Sequence, residues 1–244
     1  RENIIDVPCL PDSEEMDITE LEKLLSESQR PGKIVIASAG TVTGTDFDDL
    51  DQISLLCEKY DAWLHVDAAF GLFSRLIPEL MDLTNGINKA DSITSDAHKW
   101  LNVPYDSGIF FTRHTEILNR ACSVSAPYLA VSNLLPPLMD RGIENSRRFR
   151  ALPIWMTLKA YGRNGYHHLV KKNCNQAASL AEWILESRGY ELMTSCKLNV
   201  LIFRPKSRDV NVAELLSVIN QTGLVYLTPG LWFGAQGIRA AFSN

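Results

Sequence analysis

The sequence lacks several features that mark particular classes of protein. No apolar run approaches the roughly 18 residues needed to cross a bilayer, so a membrane partner is not expected. The 24 basic residues do not outnumber the 29 acidic ones, and the net charge of −5 argues against a nucleic-acid partner. The cysteines are far apart, without a CxxC pair, and stand at Cys9, Cys57, Cys122, Cys174 and Cys196. Neither a zinc site nor a disulfide framework is therefore predicted, and a reducing, cytoplasmic compartment is expected.

The composition is otherwise that of a globular protein with a large core. The 244 residues are 45% hydrophobic and 22% charged, which suits one large domain or a large and a small one. The chain begins at Arg1 rather than methionine and ends just after the strand-like run 238–242. We therefore expect it to be part of a longer protein.

Short apolar runs alternate with helical patterns in the first half of the chain. Strands are predicted at 33–38, 63–66, 91–95 and 109–112. Acidic residues from Asp46 onward mark the beginning of a helix, whose apolar stripe continues to Tyr60. This alternation predicts an α/β fold with a largely parallel sheet.

An irregular stretch and two helices follow. Residues 121–146 have little periodicity and contain Pro127, Pro136 and Pro137, which is typical of a functional loop. Helices are predicted at 147–161 and 166–187, with Gly162 and Gly165 between them.

The last part of the chain has the pattern of a small α+β unit. A strand is predicted at 199–203, a helix at 212–219, and further strands near Val225 and Ile238. We therefore divide the chain into a partial large domain, 1–165, and a connecting helix with a small C-terminal domain, 166–244.

Polar residues follow the predicted strands of the first half. Gly40 and Thr41, then Asp67, then His98 and Lys99 each come just after an apolar run. Because the carboxyl ends of parallel strands meet at one edge of a sheet, these residues are expected to line a single crevice.

Lys99 stands between His98 and Trp100 and has two interpretations. One is a surface lysine whose stem covers the indole. The other is a Schiff-base lysine, whose amine becomes a nucleophile when partly desolvated.

Asp67 places a carboxylate at the tip of an apolar strand, before two alanines. It could cap a helix N-terminus. It could instead hold the protonated nitrogen of a pyridine ring that acts as an electron sink, with the small Ala69 leaving room for the flat ring.

Other catalytic patterns are missing. The sequence has no G-x-S-x-G nucleophile elbow. His167 and His168 are adjacent on a predicted helix and point about 100° apart, so they do not form a chelating pair and no metal is predicted.

Several linked motifs together resemble one family. They are VDAA at 66–69, DAHKW at 96–100, SAGT at 38–41, RRFRAL at 147–152 with Trp155, and RAAFSN at 239–244. In their order along the chain, and over almost its whole length, they resemble the group II pyridoxal-phosphate-dependent decarboxylases, which include aromatic-amino-acid, glutamate and histidine decarboxylases. The resemblance implies the fold-type I architecture, an α/β large domain, here without its N-terminal part, and a small α+β domain.

The resemblance also implies roles for individual residues. Lys99 would bind pyridoxal 5′-phosphate as a Schiff base and be the catalytic lysine. Asp67 would pair with the ring nitrogen, Ala69 would pack on the ring, and His98 would lie near the phosphate or ring. Asp96 is a further cofactor-binding candidate, although the better-known members have asparagine there and a carboxylate would repel a phosphate.

Two more positions correspond to family motifs. Thr41 corresponds to the first threonine of a Gly-Thr-Thr pattern, in which Val42 replaces the second. Arg239 aligns with an arginine that meets a substrate carboxylate in glutamate decarboxylases; a structural ion pair is the alternative.

The implied function is decarboxylation of an L-amino acid to an amine and CO₂ by a homodimer with active sites at the subunit interface. Two departures leave alternatives open. The stretch 134–145 lacks the loop tyrosine that protonates the carbanion in familiar members, which leaves transamination or decarboxylation-coupled oxidative deamination open. The N-terminal half, with the ring-stacking aromatic and most phosphate ligands, is absent from this sequence. This chain alone is therefore expected to be inactive, and a truncated non-catalytic paralogue is the other alternative.

Overall fold

A mostly parallel sheet forms the first half of the computed structural model, which describes residues 3–124 and 138–243. Its strands, in spatial order, are β1 (Lys33–Ser38), β2 (Ala62–Asp67), β3 (Ser92–Asp96) and β4 (Gly108–Thr112). The pairs β1–β2 and β2–β3 are parallel, and β4 is antiparallel to β3. The α/β class predicted from the alternating pattern is confirmed.

Helices and turns connect these strands. Helix α1 (Ile18–Glu27) precedes β1, α2 (Leu50–Lys59) lies between β1 and β2, and α3 (Thr115–Cys122) follows β4. Between β2 and β3 the chain forms 3-10 turns at Gly71–Leu76, Pro78–Thr84 and Ile87–Lys89.

The expected beginning of α2 at Asp46 is wrong. The helix begins at Leu50, and Asp49 caps it by accepting a hydrogen bond from the Gln52 amide at 3.0 Å. The Asp48 carboxylate instead accepts the amides of Ser38 and Met16, at 2.6 and 2.7 Å. The acidic residues before α2 therefore fasten loops to the end of β1 rather than forming the first helical turn.

Helix α4 (Ala151–Glu186) contains the two helices predicted at 147–161 and 166–187, which follow one another across a kink, and the first begins at Ala151 rather than at 147. Its one non-helical residue is Gly162, with φ 60° and ψ −176°, whereas Gly165 is helical. Only glycine adopts such a conformation without strain, because it has no Cβ. The predicted domain boundary at 165 falls inside α4 close to this break and stays a prediction.

The predicted loop at 121–146 lies partly outside the described residues. Residues 125–137, with Pro127, Pro136 and Pro137, are not described. In the remainder, α3 continues to Cys122 and a 3-10 helix covers Leu138–Arg141.

An antiparallel sheet forms the last part of the chain. Its strands, in spatial order, are β5 (Tyr190–Leu192), β6 (Val200–Pro205), β8 (Ala235–Ala241) and β7 (Thr228–Trp232). Helix α5 (Val212–Gln221) stands between β6 and β7 in the chain. The predicted small α+β unit is present; β5 escaped prediction because its three residues are all half-buried and give no alternation.

Two apolar cores are connected by α4. The first packs around β1, β2 and the turn after β3, and includes Tyr166 and Val170 of α4. The second includes Ala177, Ala181 and Ile184 of α4 together with residues of β6 and β8. Burying each large aliphatic side chain contributes about 1.5–3 kcal/mol, so α4 ties the small sheet firmly to the large one. None of the helices in the described ranges is long and apolar enough to serve as a membrane span.

Candidate active site

The carboxyl ends of β1, β2 and β3 meet at one edge of the large sheet. Ser38 pairs with Asp67 in the β1–β2 register, and Asp67 pairs with Thr94 in the β2–β3 register. Hydrogen bonds continue beyond the strands, from the Ala39 amide to the Asp67 carbonyl at 2.7 Å and from the Ala68 amide to the Thr94 carbonyl at 2.9 Å. The segments that carry Thr41, Asp67 and Lys99 therefore start from neighbouring points of this edge.

Gly71 allows the chain after Asp67 to fold closely over the end of β1. Its amide donates to the Ala39 carbonyl at 3.1 Å. A Cβ at Gly71 would lie 2.0 Å from that carbonyl oxygen, a distance that no side chain tolerates. Sequence reasoning missed this residue, and the only available signal was a glycine shortly after a strand end.

A turn after β3 presents Lys99. The amides of Ala97 and His98 donate to the Ser107 carbonyl at 2.9 and 3.2 Å, and the Lys99 amide donates to the Asp96 carbonyl at 3.3 Å. Trp100 is fully buried and lies edge-on to Phe70, with ring centroids 5.4 Å apart. The buried indole anchors the turn, whereas the Lys99 side chain on the same turn remains partly exposed to solvent.

The Lys99 ammonium lies beside a carboxylate and an aromatic ring. Its Nζ lies 3.0 Å from Asp96 Oδ2 and 4.5 Å from the centroid of the Phe70 ring. The Lys99 side chain is 25% exposed. A carboxylate and an aromatic face therefore hold this amine at a position that solvent still reaches.

Asp67 makes one local contact, and its pairing with a ring nitrogen stays a prediction. Its carboxylate accepts the Ala69 amide at 3.1 Å, which is a capping contact within the turn. The residue is exposed, and within residues 3–124 and 138–243 no cation pairs with it. Lone pairs of the carboxylate thus stay available at the edge where Ala69 leaves space.

His98 is held on several sides. Its Nδ1 accepts a hydrogen bond from the Ser107 amide at 3.1 Å, and its Nε2 lies 3.5 Å from Asp96 Oδ2. The ring of Tyr105 lies over the imidazole, with centroids 4.1 Å apart and planes inclined by 32°. Sequence reasoning missed Tyr105, because only the fold of the 97–107 turn brings the two rings together.

Thr41 lies in a turn that is fastened by Glu14. The Thr41 hydroxyl donates to the Glu14 carboxylate and accepts the Asp46 amide at 2.9 Å. Glu14 also accepts the Gly44 amide at 2.9 Å. The hydroxyl therefore serves the turn, and the predicted cofactor contact of Thr41 stays a prediction.

Arg239 on β8 reaches the same turn from the small sheet. Its Nε donates to the Val42 carbonyl at 2.7 Å. No carboxylate within the described ranges lies at ion-pair distance from Arg239, so the structural ion pair is not found there. Burial lowers the pKa of this guanidinium, as expected of a cation without an anionic neighbour.

Comparison with known protein families identifies the family of this chain. A family model described as "Pyridoxal-dependent decarboxylase conserved domain" matches residues 3–206. The chain belongs to this family. The group II membership inferred from the DAHKW and VDAA motifs is thereby confirmed.

Individual relatives agree with the family assignment. Histidine decarboxylase of Drosophila melanogaster is 31% identical over 212 residues, 86% of this chain and 25% of that protein. Aromatic-L-amino-acid decarboxylase of Sus scrofa is 29% identical over 236 residues, 94% of this chain and 49% of that protein. The chain thus spans about half the length of these curated relatives or less.

A solved structure confirms the fold class. The Oryza sativa TDC with PLP and tryptamine superposes with a TM-score of 0.90 at 22% identity, over 99% of this chain and 53% of that one. The sheets described above are therefore those of a pyridoxal-phosphate-dependent decarboxylase fold.

The residues at the sheet edge fit the ring and the aldehyde of pyridoxal phosphate. Lys99 offers a primary amine, Asp67 a carboxylate with available lone pairs, and Ala69 a side chain that leaves room for a flat ring. Asp96 fits the phosphate poorly, because its carboxylate is negatively charged and is already engaged with Lys99 and His98.

Proposed function

We propose that this chain supplies the lysine and the ring-nitrogen partner of an enzyme that decarboxylates an L-amino acid to an amine and CO₂, with pyridoxal 5′-phosphate as cofactor. The observation that carries the proposal is the placing of Lys99 and Asp67 on neighbouring segments of one sheet edge, in the motifs of the family. Bound pyridoxal phosphate supplies a conjugated ring that accepts the electron pair left when the bond to the carboxylate breaks.

Asp67 and Lys99 take complementary parts in this proposal. Asp67 keeps a proton on the ring nitrogen, because a carboxylate at hydrogen-bond distance favours the cationic heterocycle. Lys99 binds the cofactor through its Nζ and yields that position to the substrate amine. Ala69 leaves room for the ring, and His98, fixed by Ser107 and Tyr105, orients the cofactor.

Arg239 is the proposed contact for a substrate carboxylate. Its guanidinium is half-buried and binds a backbone carbonyl rather than an acid, and burial lowers its pKa. An anionic ligand beside it would restore a favourable charge pair. Its bond to Val42 brings it to the turn that also contains Thr41.

The substrate and outcome are tested with the complete protein. A panel of L-amino acids is supplied, and CO₂, amine, aldehyde and keto acid are measured together. Amine and CO₂ in equal amounts support decarboxylation. Aldehyde with CO₂ would identify oxidative deamination, a keto acid without CO₂ transamination, and no product from any substrate a non-catalytic paralogue.

We also propose a cytoplasmic homodimer. Several apolar side chains are exposed along the first turns of α4, among them Leu152, Trp155 and Met156, and an apolar face of this kind suits a subunit interface. The five cysteines, all within the described residues, are free thiols, which suits a reducing compartment. Sedimentation of the complete protein and cell fractionation test the two statements.

A further inference from the structure

The carboxylate of Asp96 lies at the end of β3, between the two side chains that follow it in the motif. Its Oδ2 is 3.0 Å from Lys99 Nζ and 3.5 Å from His98 Nε2. The side chains of Asp96 and Lys99 are 28% and 25% exposed. The pair is therefore an ion pair that is partly shielded from water.

This arrangement conflicts with the cofactor-binding role that the family resemblance implies for position 96. A phosphate carries a charge of about −1.5 to −2 at neutral pH, and a neighbouring carboxylate opposes its binding by like-charge repulsion. In the structure the carboxylate contacts the chain's own lysine instead.

We propose that Asp96 is a positioning residue for Lys99, an ion-pair latch that must open before the amine can bond to an aldehyde. The inference rests on the proposed function of Lys99. Within the described residues Lys99 Nζ has one carboxylate partner, Asp96, and one aromatic neighbour, Phe70. Both contacts hold the Lys99 side chain in one position.

The step that the latch controls is the bonding of the amine to an aldehyde. Nζ first leaves Asp96 and gives one proton to solvent, and its lone pair then attacks the aldehyde carbon. The two protons that remain on the nitrogen pass to the carbonyl oxygen, which leaves as water as the carbon–nitrogen double bond forms. While the ion pair is closed, the lone pair is not available, so the closed latch slows the association of any aldehyde, with or without a phosphate.

A comparison of pyridoxal, which has no phosphate, with pyridoxal phosphate distinguishes the latch from phosphate repulsion. The complete protein, freed of cofactor, is mixed with pyridoxal or with pyridoxal phosphate, and the association rate is followed by absorbance. Asp96→Asn keeps the shape and a hydrogen-bond acceptor but removes the charge. The association of both aldehydes with this variant is expected to be about three- to tenfold faster, equivalent to about 0.6–1.4 kcal/mol. Glu79→Gln, which removes the carboxylate of the exposed Lys171 pair, is the matched control and leaves both rates unchanged.

The outcomes distinguish the alternatives. Acceleration of pyridoxal phosphate alone would mean that Asp96 repels the phosphate, and it would overturn the latch. Unchanged or slower association of both aldehydes in Asp96→Asn would also overturn it. If Lys99→Ala gives the same absorbance change as the wild type, the proposed function itself fails, whatever Asp96 does.

The salt dependence of the association rate gives a second test of the latch, made first on the wild-type protein. Because the pair is partly exposed, added salt weakens it. Pyridoxal association with the wild-type protein should therefore become faster as sodium chloride rises, and this dependence should be lost in Asp96→Asn. A wild-type rate that does not respond to salt would contradict the latch.

Discussion

The indole nitrogen of Trp100 donates a hydrogen bond of 2.9 Å to the side-chain oxygen of Asn173, and both residues are buried. The partners stand on the turn after β3 and on α4, 73 positions apart. A second buried bond, from the Tyr166 hydroxyl to the Leu101 carbonyl at 3.1 Å, joins the same two elements. These two hydrogen bonds therefore anchor the turn that carries Lys99 to α4.

Asn173→Ala should destabilise the protein, because it leaves the indole N–H buried without an acceptor. A buried donor that loses its partner costs about 1–3 kcal/mol. Denaturant unfolding measures the loss, with Asn175→Ala, an exposed asparagine on the same helix, as the matched control. Equal stability of the two variants would mean that the bond to Trp100 does not hold the turn.

Lys197 and Asp46 form an ion pair whose effect depends on pH. Their atoms are 2.7 Å apart, and the Asp46 carboxylate is 2% exposed. Burial raises the pKa of Asp46, but the hydrogen bond and charge of Lys197 and the Glu14 amide outweigh it, so that the net pKa is lowered. A carboxyl with a lowered folded-state pKa stabilises the protein above its unfolded pKa, and this stability is lost as the pH falls through the folded value.

Lys197→Met should therefore cost about 1–3 kcal/mol at neutral pH, since one carboxylate is left buried while the lysine itself is partly exposed. The difference from wild type should shrink as the pH falls below about 4 and through the lowered folded-state pKa of Asp46, because the carboxyl is then protonated in both folded proteins. Lys171→Met, which removes a surface pair with Glu79, is the control and should change little. A pH-independent difference for Lys197→Met would contradict the ion-pair explanation.

Tyr105 should influence His98 through its ring rather than its hydroxyl. The two centroids are 4.1 Å apart, close enough for a ring-current effect on the imidazole protons. Tyr105→Phe should preserve the proton chemical shifts of His98, whereas Tyr105→Ala should move them toward those of a histidine without an aromatic neighbour. NMR of histidine-labelled protein measures this, and a Tyr105→Phe spectrum like that of Tyr105→Ala would refute the stacking.

Asp67→Ala should separate cofactor binding from turnover. Lys99 remains, so part of the cofactor binding is retained, while the charge that holds the ring nitrogen protonated is lost. Loss of one such preorganised electrostatic contact costs about 10²-fold or more in rate. Turnover and cofactor absorbance are measured for the complete protein. Asp209→Ala, which removes an exposed carboxylate after β6, is the control. Near-normal turnover of Asp67→Ala would exclude the electron-sink role.

Local patterns located the strands and the residues at their tips. The apolar run KIVIAS predicts β1 with the same bounds as the structure, because a short β-branched run that ends before a glycine is typical of a strand. Lys99 and Asp67 were found for the same reason, since each polar residue follows such a run.

Contacts between distant segments could not be read from the sequence. The packing of Phe70 against the Lys99 ammonium and the anchoring of Trp100 by Asn173 depend on the sheet register and on the position of α4. The helix expected from Asp46 failed because Asp46 and Asp48 bind Lys197 and the amides of other segments. Helix-start patterns contain no information about such long-range partners.

The identity of the lysine that binds the cofactor can be measured directly. The complete protein is loaded with pyridoxal phosphate, reduced with borohydride, digested and analysed by mass spectrometry. The cofactor mass is expected on the peptide that contains Lys99, and it should disappear, together with the visible absorbance band, in Lys99→Ala. Cofactor on another lysine, or an unchanged absorbance band and turnover in Lys99→Ala, would show that the sheet edge described here is not the active site.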